Sequence, residues 1–157
     1  MKLSLRKGFS FGLTSGIITT LGLIIGLNSG THSRLVVIGG ILTIAVADAL
    51  SDAYGIHISE EAENKHTEKS IWESTFATLS SKFFFALTFM IPVLLFELST
   101  AIIISIIYGL SLISIISYYI AKRERARPSK VVSEHLILTV VVIILTHLVG
   151  RFVAAVF

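Results

Sequence analysis

The sequence predicts an all-α, polytopic membrane protein with five transmembrane helices. Hydrophobic residues make up 54% of the 157 residues and charged residues only 15%, whereas about 25% of the residues in a soluble domain are charged. The apolar residues also form long blocks, each near the roughly 20 residues that cross the core of a bilayer. We therefore expect residues 1–157 to form a single transmembrane domain, with no separate soluble domain.

The blocks place the spans at about 9–27, 35–58, 76–96, 100–121 and 136–157, with an acidic cytoplasmic connector at 59–75. Lipid offers no partner for bare backbone groups, so each span is expected to be a helix. No segment shows the two-residue alternation of a barrel strand. The mean hydropathy of +0.86 agrees with an integral membrane protein, which we expect in the plasma membrane of a prokaryote.

The distribution of lysine and arginine predicts a cytoplasmic N-terminus and an external C-terminus, because basic residues collect in cytoplasmic loops. Only Arg34 and Arg151 would lie outside. The other eleven would lie inside: Lys2, Arg6, Lys7, Lys65, Lys69, Lys82, Lys122, Arg123, Arg125, Arg127 and Lys130. Orientation thus explains the net charge of +3, and nucleic acid is not an expected partner because no recognition element accompanies the basic run. The expected partner of the basic residues is membrane lipid. The absence of cysteine excludes disulfides and thiolate metal ligands.

The first span contains glycines at four-residue spacing. Gly8, Gly12 and Gly16 form one series, and Gly22 and Gly26 form another. Small residues at this spacing let two helix backbones approach closely. The pattern predicts a tight helix contact, within one chain or across a dimer.

The second span contains two aspartates, Asp48 and Asp52, which share a helix face because they are four residues apart. Ser51 lies beside this face, and Ser59 continues it towards the cytoplasm. A carboxylate at this depth costs at least ~2.5–3.5 kcal/mol on insertion scales. Protons or a divalent cation would relieve that cost. We therefore expect both aspartates to be metal ligands and proton-exchange groups. A structural pair, bonded to a neighbouring helix, is the alternative.

Few other polar groups are expected at that depth. No basic residue matches it, because Lys82 is expected to reach the membrane interface from near one end of the third span. His147 in the last span is the one deep candidate for a proton acceptor or further ligand. For a lone histidine, a structural role with the ring bonded to a carbonyl group is the favoured interpretation.

The connector adds acidic residues on the cytoplasmic side. Glu60, Glu61 and Glu63 follow directly on the second span, and we include them in the candidate metal set. Such a cluster gathers cations through its negative potential. An ordinary solvated loop is the alternative interpretation.

Four stretches resemble the vacuolar iron transporter (VIT) family. "SGIITTLGLIIG" is similar to the family's first-helix signature, an Asp-Gly-Ile-Val-Thr-Thr-like run followed by Gly-Leu and Gly. "AVADALSDAYGIHISEEAE" resembles its second helix, which leads into an acidic segment. "IPVLLF" and "THLVGRFV" resemble parts of the third and fifth helices. The resemblance covers nearly the whole chain.

The resemblance implies a homodimer that exports ferrous iron or a similar divalent cation from the cytoplasm in exchange for protons. The pathway would lie between the subunits, lined by first- and second-helix residues, here Ser15, Thr19, Ser51 and Ser59. Ser15 stands where the family has an aspartate, Asp52 where it has methionine, and Ile56 where it has glutamate. An oxygen ligand in place of a thioether favours harder cations, so manganese, magnesium and calcium compete with iron.

The sequence therefore predicts a transporter of an iron- or manganese-like divalent cation (Fe²⁺ or Mn²⁺), possessing no permanently bound cofactor. A channel would be a variant of this function. The alternative is a non-transporting membrane protein that binds metal or serves as an assembly subunit. An enzyme is not expected. Intramembrane aspartyl proteases draw their two aspartates from different helices, whereas Asp48 and Asp52 lie on one.

Overall fold

The computed structural model describes residues 2–157, which are 90% helical and contain no strand. The helices are α1 (Leu3–Thr31), α2 (Arg34–Ala62), α3 (Glu68–Thr88), α4 (Met90–Leu95), α5 (Leu98–Arg123) and α6 (Pro128–Val156). Five segments are long and apolar enough to cross a membrane, α3 and α4 together forming one of them. The predicted fold class is confirmed. The orientation and the dimer stay predictions.

The helices extend beyond the predicted spans into the charged segments. α3 begins at Glu68, eight residues before the expected position, because the Thr67 side chain caps it by accepting a hydrogen bond from the Ser70 N–H. α2 continues to Ala62. Most of the connector predicted at 59–75 is therefore helical, and only 63–67 lie between the two helices.

The third span is interrupted at Phe89. Pro92 has no N–H, so the carbonyl of Thr88 loses its usual helical partner. Just before the proline the helix is also tighter, because the Phe89 N–H bonds to the carbonyl of Ala86, three residues back, at 3.2 Å rather than to the carbonyl four residues back. Pro128 has a different effect, because it occupies the start of α6, where a missing N–H costs nothing.

α1 is the central helix of the bundle and contacts α2, α3, α5 and α6. Its buried residues Leu13, Ile17, Leu21 and Ile24 contribute to one apolar core. α6 lies at the periphery and exposes large apolar side chains such as Leu138. In a bilayer those side chains contact lipid, which is as apolar as they are.

α1 and α3 approach most closely at the predicted glycine series. A Cβ added at Gly12 would lie 2.9 Å from the Cα of Thr78, closer than carbon atoms pack. The two helices are also joined by a hydrogen bond, which the Thr78 hydroxyl donates to the Gly8 carbonyl at 3.1 Å. The tight contacts predicted for the first span thus lie inside one chain: the series from Gly8 to Gly16 meets α3, and Gly22 and Gly26 meet α6.

Candidate cation site

Four polar side chains from three helices meet inside the bundle. α2 supplies Asp48 and Asp52, α1 supplies Ser15 and α3 supplies Lys82. The Lys82 Nζ lies 2.5 Å from Oδ2 of each aspartate and donates a hydrogen bond to Ser15 Oγ at 3.0 Å. Ser15 in turn donates to Asp52 Oδ2 at 2.7 Å. The two aspartates therefore share one helix face, as expected, and we call this group the Asp48–Asp52 site.

The place of Lys82 corrects two sequence predictions. Its side chain is 1% exposed, so it does not reach the membrane interface, and a basic residue does lie at the depth of the aspartates. Gly16 helps to make this possible. A Cβ there would lie 3.2 Å from the Lys82 Cγ, so the missing side chain leaves room for the lysine stem. Because Lys82 is internal, ten rather than eleven basic residues bear on the predicted orientation.

The two carboxylates are bonded unequally. Asp52 Oδ2 accepts hydrogen bonds from both Ser15 and Lys82. Asp48 Oδ2 has only the close charge contact with Lys82, without a hydrogen bond of good angle from any described residue. Over residues 2–157, neither Oδ1 atom accepts a hydrogen bond from another side chain. The second oxygen of each aspartate is thus uncommitted.

Both aspartates remain accessible from outside the bundle. Their side chains are 30% and 22% exposed, although the ammonium that joins them is buried. The face of α2 next to them is open, since nothing approaches within 4 Å of a Cβ built at Gly39 or Gly55. The carboxylates are therefore more accessible from this face than the lysine is.

The open face of α2 consists of small residues at four-residue spacing. All of them are exposed, and they lie beside the aspartates: Gly39, Thr43, Ala47, Ser51, Gly55 and Ser59. Such a surface suits close contact with a second helix in a membrane. No other helix of this chain covers it over the described residues. Ser51 and Ser59, expected to line a pathway, lie on this surface.

Thr19, the other expected pathway residue besides Ser15, is turned towards its own helix. Its hydroxyl donates a hydrogen bond to the Ser15 carbonyl at 2.9 Å. Ser15 itself lies within the Asp48–Asp52 site. The two predicted α1 residues are therefore one turn apart, with only Ser15 bonded to the charged groups.

The acidic residues after the second span form a separate cluster. Glu60 is eight residues from Asp52, which is about 12 Å along the helix, and it is buried. It pairs with Lys7 at 3.1 Å and accepts a hydrogen bond from Ser74. Glu61 is exposed. The structure thus keeps these acids apart from the Asp48–Asp52 site.

Glu63 belongs to the same cluster and lies just beyond α2. A hydrogen bond from His66, 3.1 Å away, and the charge of Lys7 hold the pKa of Glu63 below its ordinary value. No group of three or more histidine, aspartate or glutamate side chains that suits a metal ion occurs among residues 2–157 of this single chain.

His147 lies near the other end of the bundle. Its Nδ1 is 2.6 Å from the hydroxyl of Ser29 on α1, and Ser29 is fourteen residues from Ser15, about 21 Å along the helix. His147 borders a cavity of about 760 Å³ together with Ile25 and Arg151. The structure does not bring it near Asp48 or Asp52 of the same chain.

The sequence places Lys82 wrongly, at the membrane interface, because it predicts too late a start for the helix that contains this residue. From Phe76 it would lie only two turns into the span, within reach of the interface. From the observed start at Glu68 it is fourteen residues in, about 21 Å. The signal that shows the true start is the capping residue Thr67, in the charged stretch "HTEKSIWES".

Comparison with known proteins adds one match. The model of the VIT family matches residues 7–73, which extend from α1 through α2 into the first turns of α3 and include Ser15, Asp48 and Asp52 but not Lys82. No curated protein and no solved structure matches the chain. At a general level, the family match suggests transport of metal ions across a membrane. The first two helices of this integral membrane protein are thus similar to those of the VIT family.

Proposed function

We propose that the protein transports a divalent transition-metal cation, Fe²⁺ or Mn²⁺, and that Asp48 and Asp52 bind this cargo. The observation that supports the proposal is the pair of uncommitted carboxylate oxygens beside an open helix face. Carboxylate and hydroxyl oxygens suit harder divalent cations. Charged side chains inside a membrane also mark ion pathways by default, because they are costly to keep there.

The transporting unit in this proposal is a homodimer in which α2 of one copy faces α2 of the other. The small residues on the open face of α2 support this arrangement, because they allow close backbone approach. Four carboxylates, two from each copy, would then surround the cation, which one chain alone does not achieve. Ser15, Ser51 and Ser59 would add hydroxyl groups along the passage.

The proposed direction is export from the cytoplasm in exchange for protons, in the plasma membrane of a prokaryote. The VIT resemblance supports this direction, and the excess of basic residues at one end of the bundle supports the orientation. The acidic cluster of Glu60, Glu61 and Glu63 lies at the end that would then be cytoplasmic. In the proposal this cluster attracts cations, but the charge of Glu60 is already offset by its contact with Lys7.

Mn²⁺ flux into proteoliposomes, measured with an internal fluorescent indicator, tests the proposal. Asp52→Asn removes one carboxylate and should lower the initial rate at least tenfold, the equivalent of about 1.4 kcal/mol. Glu97→Gln is the matched control, because it removes one acidic charge from an exposed position between helices. A D52N protein that is folded and transports as fast as E97Q contradicts the proposal.

A non-transporting metal-binding or assembly protein is the second candidate. The observation that favours it is Lys82, which already offsets one of the two acidic charges without any ion. Mn²⁺ binding that depends on Asp52, with no flux under a gradient of Mn²⁺ or of protons, would select this candidate.

A further inference from the structure

We propose that Lys82 is a fixed internal counter-charge that sets how many cations the Asp48–Asp52 site accepts. The inference rests on the proposed function and on the proposed pairing of two copies. It concerns the stoichiometry of the cargo, which neither the family match nor the carboxylates alone determine. With Lys82 in place, the site accepts one divalent cation per two chains.

The first step is the charge of the site in one chain. Two carboxylates contribute two negative charges, and the Lys82 ammonium, 2.5 Å from both, cancels one of them. The two sites of a dimer then have two negative charges in all, which one divalent cation neutralises. A second divalent cation would leave two positive charges in a medium of low dielectric constant, where unpaired charge is costly.

The second step is the geometry of the lysine. Its contacts with the aspartates and Ser15 all use Nζ, and the aspartates use Oδ2, so their Oδ1 atoms stay available. The stem is fixed between α1 and α3, where Gly16 accommodates it. A cation approaching from the open face of α2 can therefore bind the carboxylates without displacing Lys82. The ammonium stays in place as part of the loaded site.

The experiment counts Mn²⁺ bound at saturation to the purified full chain, by equilibrium dialysis and elemental analysis. Wild type should bind one Mn²⁺ per two chains. Lys82→Met keeps the length of the side chain but removes its charge, and should bind one Mn²⁺ per chain, a twofold rise. Lys69→Met, an exposed lysine on the same helix, should leave the wild-type value unchanged. A K82M protein with the wild-type stoichiometry overturns the inference.

A charge-rescue pair separates this role from a structural one. Asp48→Asn alone makes the site neutral and should abolish Mn²⁺ binding. Adding Lys82→Met restores one negative charge, so the D48N/K82M protein should again bind one Mn²⁺ per two chains. Loss of a structural contact would not be repaired by a second loss. A double variant that binds no more Mn²⁺ than D48N overturns the inference.

Labelling of the unmodified protein provides a test that requires no variant. A small amine-reactive reagent, followed by mass spectrometry, should leave Lys82 unlabelled with and without Mn²⁺, whereas Lys69 reacts in both cases. Labelling of Lys82 that rises in Mn²⁺ shows that the cation displaces the lysine and overturns the inference. If wild type binds Mn²⁺ no better than D52N, the proposed function fails. A wild-type ratio of one per chain that falls in D52N overturns the inference alone.

Discussion

Replacing Gly12 by alanine should separate α1 from α3 and destabilise the bundle. The added Cβ would lie 2.9 Å from the Thr78 Cα, whereas carbon atoms pack best at about 3.5–4.0 Å. The gap has to widen by at least about 0.6 Å. The obstacle is helix backbone, which cannot rotate away as a side chain does, and overpacking of this kind costs about 1–3 kcal/mol.

Gly26→Ala is the matched control, because it makes the same substitution in the same helix. There the nearest atom to the new Cβ is the Thr146 carbonyl oxygen at 3.4 Å, an ordinary contact. Both variants gain up to ~1 kcal/mol of helix propensity, so their difference isolates the clash. At about 2–4 °C per kcal/mol for a chain of this size, G12A should unfold several degrees below G26A.

Circular dichroism during heating in detergent measures the difference. Mn²⁺ binding should weaken in parallel, because Gly12 is one turn from Ser15 and the displaced helix also contains Lys82. A G12A protein that unfolds at the same temperature as G26A, or above it, refutes the reasoning. It would mean that the two helices do not meet at this glycine.

Two further predictions concern the dimer and the acidic cluster. The chain has no cysteine, so Ala47→Cys on the open face of α2 should form a disulfide-linked dimer on mild oxidation. Leu138→Cys on the exposed face of α6 should not. Equal yields of the linked dimer from both variants would contradict an α2 contact. For Glu63 the folded-state pKa is lowered from its ordinary 4.5, chiefly by the hydrogen bond to His66. The ionised Glu63 therefore stabilises the fold fully above pH 4.5, and this stabilisation is lost as the pH falls through the lowered folded-state pKa. Glu63→Gln should therefore unfold slightly below wild type at neutral pH and equally at strongly acidic pH; a difference that grows towards acid would contradict this sign.

The sequence by itself determined the class of the fold and the main candidate residues. Apolar blocks of bilayer length are sufficient for that class, since lipid leaves helices as the only form that satisfies the backbone of each block. The spacing of Asp48 and Asp52 likewise fixes their common face, because a helix has 3.6 residues per turn. The close approach at Gly8 and Gly12 was predicted by the same local rule, but not which helix is the partner.

Only the tertiary structure decided what surrounds the aspartates. Lys82 is thirty residues from Asp52 in the chain, and no local pattern relates the two. Their contact depends on how far α3 extends and on the space beside Gly16, both of which are results of packing. The surroundings of Glu60 were likewise decided by the tertiary structure. A row of glutamates in the sequence indicates a solvated surface, whereas in the structure Lys7 and Ser74 enclose Glu60. Local sequence fixes which face a side chain takes on its helix, whereas its charge partners depend on which helices meet.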